Sequence, residues 1–264
     1  MNDLNSTIDR RTFAAAIAAG AATSLLGFPS KAQAATSARN VVFIHGLFAD
    51  GSCWSEVMGR LQSAGLRTTS VQNTLRNFDD DVALTKRALA MQDGPTVLVA
   101  HSFGGMILTQ AGVDPAVSAL VYVAARAPDA NENYAELAAR FPAPPASAGV
   151  VTTDGLAQLS ETAFFNDFAN GVQPATARLL YAVQAPNATS LTASAKTTVA
   201  AWRSKPSWYA VSKQDRTINP ELERFMAARM KATTIEVDSG HLSLVSHPDA
   251  IAELILAAAG RSSG

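Results

Sequence analysis

From residue 40 onward, short apolar runs rich in β-branched residues alternate with longer stretches whose apolar side chains recur every three or four positions. The short runs are "NVVFIHG" (40–46), "LRTTSV" (66–71), "GPTVLVAH" (94–101), "VSALVYVAA" (117–125), "PSWYAVSK" (206–213) and "TTIEVD" (233–238). Their length and residue types predict strands, several of them buried on both faces. Between them the helical spacing predicts a helix from Ser52, as its cap, to about Ala64, with Gly65 as its stop. Further helices follow in "FDDDVALTKRALAMQ", whose acidic start suits the positive end of a helix dipole, in "GGMILTQAG", in "NPELERFMAARMK" with Pro220 near its start, and in "HPDAIAELILAAA". Strand and helix alternating in this way predict an α/β fold: a mostly parallel sheet with right-handed crossovers and helices on both faces.

From Pro128 to about Lys205 the pattern changes. The stretch is Ala-rich, helical in places and broken by Pro and Gly, without a clear strand, which predicts an inserted helical cap over about 128–205. At the other end, residues 1–34 have a polar start, Arg10-Arg11, a short Ala-rich apolar run and then Ala32-Gln33-Ala34, the small-x-small form of a signal-peptidase site. The order Asp9-Arg10-Arg11-Thr12-Phe13 resembles a twin-arginine signal, so these residues are expected to be a cleaved export signal ahead of one domain spanning 35–264, and the protein to be periplasmic or secreted. The apolar run from Phe13 to Phe28 is short and weak for a membrane span, so no stable membrane insertion is expected.

Composition narrows the function. The 264 residues are 48% hydrophobic and 16% charged, enough for one sizeable core. A formal net charge of −1 leaves no basic stripe for nucleic acid. Cys53 is the single cysteine, so an internal disulfide and a thiolate metal cluster are both excluded, and a small buried hydrophobe is its expected role.

The chemistry starts at "AHSFGG" (100–105), directly after a predicted strand and before a predicted helix. A serine on such a sharp turn is pushed into the cleft at the carboxyl ends of the strands, and the turn needs small neighbours because strand and helix backbones nearly touch. Gly104 supplies one; Ala100 stands where the G-x-S-x-G pattern has its first glycine, adding a methyl to the crowded side. The plain alternative is that Ser102 only caps the helix starting near Phe103. A nucleophilic serine requires a base oriented by a carboxylate, and in open α/β hydrolases these follow in the order serine, acid, histidine. Only His241 and His247 lie after Ser102. His241 falls in the loop between the last strand and the last helix, whereas His247, next to Pro248, has helix-start chemistry. For the acid, Asp215 follows the strand "SWYAVS", Asp129 is the reserve, and Asp238 is close enough to His241 in sequence to shape the turn instead. The backbone N–H groups of Leu47 and Phe103 are the natural oxyanion donors. His45 and His101 read as structural, and the histidine spacing assigns no metal.

The segments "VVFIHGLFADGSCW", "VLVAHSFGGMIL", "LVYVAARAPDA", "KPSWYAVSKQDRTINPELERFMAARM" and "SGHLSLVSHPDAIAELI" together resemble the α/β-hydrolase superfamily, in a bacterial branch similar to the plant methyl-salicylate esterase and hydroxynitrile lyase group. The resemblance covers roughly residues 40–260 and departs from the family at Ala100. It implies Ser102 as nucleophile, Asp215 as acid, His241 as base, and Leu47 with Phe103 as oxyanion donors.

The expected function is therefore hydrolysis of a small carboxylic ester through an acyl-enzyme, with no cofactor. The same triad serves hydroxynitrile lysis, C–C hydrolysis and perhydrolysis on this scaffold, and a non-catalytic exported binding protein is a further alternative. In the cap, Phe164, Phe165, Phe168, Leu179, Leu180, Tyr181 and Trp202 either line an acyl pocket or, more commonly for such residues, pack the cap onto the main domain. Oligomeric state and exact substrate are left open.

Overall fold

The computed structural model of the chain describes residues 37–261. The export signal expected at 1–34 lies outside the described residues. None of the described helices is long and apolar enough to cross a membrane.

Six strands form the main sheet: β1 (Asn40–Ile44), β2 (Arg67–Val71), β3 (Thr96–His101), β4 (Val117–Val123), β8 (Ser207–Ser212) and β9 (Thr233–Val237). Their order is β2-β1-β3-β4-β8-β9, and every pairing is parallel. The central β1 and β3 are buried at every position, as their unbroken apolar runs require, while the polar-rich β2 and β9 take the edges. The crossover helices are α1 (Ser55–Ser63), α2 (Phe78–Ala90), α3 (Gly104–Ala111) and α8 (Pro220–Arg229), and α10 (Pro248–Ala258) follows the last strand. Helices α1 and α10 pack on one another, as do α2 and α3, which right-handed crossovers assign to opposite faces. Because the chain leaves β1 toward β2 and returns to β3 on the other side, the crevice opens at the carboxyl ends of β1 and β3. The "HG" loop and Ser102 sit at that crevice.

Two local expectations change. The helix expected from Ser52 starts as a 3₁₀ turn, Gly51–Trp54, and becomes α-helical at Ser55. Its cap is Asp50, whose carboxylate accepts the Ser52 N–H at 2.9 Å. The cap insertion is not purely helical either. Beside α4 (Tyr134–Ala138), α5 (Glu161–Ala163), α6 (Pro174–Ala182) and α7 (Thr189–Ser194), it holds an antiparallel sheet of β5 (Val150–Thr153), β6 (Leu156–Leu159) and β7 (Asn187–Ala188). Asp154 and Gly155, at φ of 48° and 76°, make the two-residue turn between β5 and β6, the geometry for which Asp-Gly is suited. A one-turn helix, α9 (Ser243–Ser246), precedes α10.

Candidate active site

Ser102 follows the last residue of β3 and has a φ of 54°, the left-handed region that side chains other than glycine avoid. Such a residue persists only where its surroundings hold it, here at a cost of order 1–3 kcal/mol. The surroundings are tight. A Cβ on Gly46 would lie 2.6 Å from the Ser102 Cβ, and one on Gly104 would lie 2.8 Å from the His45 carbonyl oxygen. Ala100, by contrast, is an ordinary buried β3 residue paired with Ile44 and Tyr122, so the strain falls on the serine and not on the methyl that replaces glycine. Ser102 is no helix cap: α3 starts at Gly104 without a side-chain capping bond.

His241 and Asp215 meet in the interior. His241 Nδ1 lies 2.6 Å from Asp215 Oδ2, and both side chains are fully buried. Asp215 Oδ1 accepts the backbone N–H groups of Thr217 and Ile218 at 2.6 and 2.9 Å, which locks the carboxylate plane. A proton on Nδ1 facing the carboxylate leaves Nε2 as a bare lone pair, and Nε2 is buried with no hydrogen-bond partner among the described residues. A serine–histidine contact is often open in an unliganded site and tightens when substrate binds. Among the described residues the N–H groups of Leu47 and Phe103 donate to no backbone carbonyl, as an oxyanion pocket requires.

The other histidines have different work. His45 Nε2 accepts the Asn73 N–H at 2.9 Å while Nδ1 donates to the Gly46 carbonyl at 2.9 Å, and burial lowers its pKa, so it is a neutral brace for the Leu47 loop. His101 Nε2 donates to the His241 carbonyl at 3.1 Å, its ring 4.5 Å from the His241 ring. Burial first, then His241, push its pKa well below the ordinary value. His247 bonds Ser246 Oγ through Nδ1 at 3.0 Å, ahead of α10. Asp129, the reserve acid, is taken by Arg203, whose guanidinium holds its carboxyl below the usual range. Asp238 pairs with Lys213 at 3.1 Å. Cys53 is buried and its thiol is pushed up by burial, away from the reactive thiolate.

The model of the alpha/beta hydrolase family matches residues 41–254. The chain belongs to that family. No curated protein matches this α/β-hydrolase in sequence. Among solved structures it is similar to polyneuridine aldehyde esterase, at TM-score 0.73 and 19% identity over 83% of this chain and 98% of that one. A methylesterase from Arabidopsis superposes at TM-score 0.70 and 16% identity, and a pyrethroid hydrolase from Sphingobium faniae JZ-2 at 0.70 and 17%, each covering 84% of this chain and 98% of the other. At these identities the likeness is one of fold.

Two features of this α/β-hydrolase escape a reading by motif. Glu223 of α8 is wholly buried, Oε2 accepting the Ser212 N–H at 3.1 Å. Burial, then the negative charge of Asp215, push its carboxyl well above the usual range, and its second oxygen, Oε1, is buried with no hydrogen-bond partner among the described residues. The available signal was its place on the same helix face as the buried Leu222, Met226 and Ala227. The second feature is a cavity of about 290 Å³ beside Leu47, lined by Phe48, Arg126, Tyr134, Ile218 and Leu222 among others. None of the seven large cap residues expected as possible liners faces it. Phe164 and Phe168 are core residues, and Trp202 donates to the Pro128 carbonyl at 2.9 Å. The Phe168 ring lies 5.2 Å from the His241 ring, and Asn170 fills the space a side chain on Gly240 would need, so the cap rests on the loop that carries His241. Ser102 is left 5% exposed and His241 0%.

Proposed function

We propose that this α/β-hydrolase cleaves small carboxylic esters through an acyl-enzyme on Ser102. The observation that carries the reading is the His241–Asp215 bond of 2.6 Å with Nε2 left free; a Ser102 held in a left-handed turn supports it. In that arrangement His241 takes the Ser102 proton as Oγ attacks the ester carbonyl, and returns it to the leaving alcohol. Asp215 holds the tautomer and stabilises the imidazolium, the Leu47 and Phe103 N–H groups receive the oxyanion, and water repeats the sequence to release the acid. The fold neighbours bear the names of an aldehyde esterase, a methylesterase and a pyrethroid hydrolase, which supports ester chemistry on this scaffold.

Replacing Ser102 with alanine should leave the fold intact and remove nearly all turnover of 4-nitrophenyl acetate and butyrate, and a serine-directed phosphonate should label the wild type at Ser102 alone. Unchanged turnover overturns the proposal. Cyanohydrin cleavage or peracid formation in place of ester turnover would assign the same residues to a different reaction. Export by residues 1–34 belongs to the same reading: Arg10-Arg11→Lys-Lys should hold the protein in the cytoplasm, measured by cell fractionation.

A further inference from the structure

Arg126 lies in the loop after β4, bound to the nucleophile turn by its own backbone, whose N–H donates to the Ser102 carbonyl at 2.9 Å. Its side chain turns to the same place. The guanidinium carbon is 5.4 Å from the centre of the Phe103 ring and 4.8 Å from that of Tyr134.

What the side chain lacks is a counter-ion. Arg60, Arg67, Arg203, Arg216, Arg224 and Arg229 each reach a carboxylate. Arg126 reaches none among the described residues, and its Nε is buried without a hydrogen-bond partner. It is also the one ionised side chain lining the 290 Å³ cavity beside Leu47, and the one lining the adjoining groove of about 600 Å³. Burial lowers its pKa, with only the Tyr134 hydroxyl opposing, but a guanidinium stays charged at any working pH. Leaving a charge in a cavity whose other lining residues are all uncharged is costly unless something bound there neutralises it. Two aromatic rings flank the guanidinium carbon, and no N–H of the side chain is hydrogen-bonded among the described residues, which leaves them free for a planar, two-oxygen acceptor.

We propose that Arg126 is a specificity residue and that the natural substrate is a small ester bearing a carboxylate, bound by Arg126 a few bonds from the scissile carbonyl. The proposal rests on the ester-hydrolase reading above for its reaction, though not for its binding site. The carboxylate sits either on the acid part or on the alcohol part of the ester, and paired substrates separate the two. Mono-4-nitrophenyl glutarate against 4-nitrophenyl pentanoate tests the acid part; 4-acetoxybenzoate against phenyl acetate tests the alcohol part.

The wild type should favour one anionic ester over its neutral counterpart by about tenfold or more in kcat/KM, as expected of a charge-assisted hydrogen bond. Arg126→Gln should lose that preference, mainly through KM for the anionic ester, with a smaller change on the neutral one. Arg126→Lys, which keeps the charge without the fork, should restore part of it. Equal losses on anionic and neutral esters, or no anionic preference in the wild type, overturn the proposal. Calorimetry of free glutarate and 4-hydroxybenzoate on Ser102→Ala, with and without Arg126→Gln, needs no turnover. An anion that binds in an Arg126-dependent way while no ester is cleaved leaves the site standing and removes the esterase reading. Esters cleaved without anion preference or anion binding do the reverse.

Discussion

Glu223 offers a direct thermodynamic test of the buried acid network. Glu223→Gln is nearly isosteric: the amide oxygen still accepts the Ser212 N–H, and the amide nitrogen takes the place of the unpartnered Oε1. What changes is that glutamine has no proton to lose. In the unfolded wild type the carboxyl ionises at about pH 4.3, whereas in the native state burial and Asp215 raise its pKa. A raised native pKa contributes stability that is complete below the unfolded value and is lost as pH rises toward the native one. The slope of that loss is about 1.4 kcal/mol per pH unit for as long as the native carboxyl stays protonated and the unfolded one does not. Glu223 is wholly buried, so no discount for solvent screening applies. Urea unfolding of wild type and Glu223→Gln at pH 5, 6 and 7 should therefore show the variant gaining on the wild type by about 1.4 kcal/mol per unit, starting from near parity at low pH. The remaining ionisable groups are common to both proteins and cancel in the difference. A difference that stays flat from pH 5 to 7 would mean that Glu223 is ionised in the native state, and the reasoning about a proton held behind Asp215 would fail.

Two further predictions test how the turn and His241 are held. Gly46→Ala drives a methyl to 2.6 Å from the Ser102 Cβ; the expected cost is about 1–3 kcal/mol in stability, with a fall of about a hundredfold in ester turnover, read by thermal unfolding and steady-state kinetics. His101→Leu removes the donor to the His241 carbonyl and should cost about 1–3 kcal/mol with a drop in kcat, while His101→Gln, which can still donate there, should retain most of both. If the leucine and glutamine variants behave alike, the hydrogen bond is not what positions His241.

Much of this was readable in the chain because the main domain follows local rules. Unbroken apolar runs became the buried β1 and β3, the polar-rich runs became edge strands, and Asp215 and His241, singled out after two later strands, meet in the structure. The cap was less legible because alanine-rich segments broken by proline have weak periodicity, and the Asp154-Gly155 hairpin signal was submerged in them. Ser52 yielded to Asp50 because a carboxylate is the better acceptor for the first free N–H groups, a competition between neighbours that propensity alone does not rank. Glu223 and Arg126 escaped for a deeper reason. A charged residue in an apolar segment reads as solvated until tertiary structure buries it, and whether it then finds a partner is decided by residues distant in sequence.

The histidines show how far identity alone reaches. His45 spends both ring nitrogens on the backbone of the Leu47 loop, and His101 spends one on the carbonyl of His241. Burial keeps both neutral. That matters for His241, because the reaction proposed here makes its ring a cation, and a second charge on His101 at a ring distance of 4.5 Å would oppose it by about 4 kcal/mol at an effective dielectric near 20. The apolar packing of Trp54 and Phe168 around His101 prevents that charge from forming. Hydrophobic burial beside the triad therefore has an electrostatic consequence: of the three histidines gathered at the crevice, only His241 has a carboxylate behind one nitrogen and nothing bonded to the other.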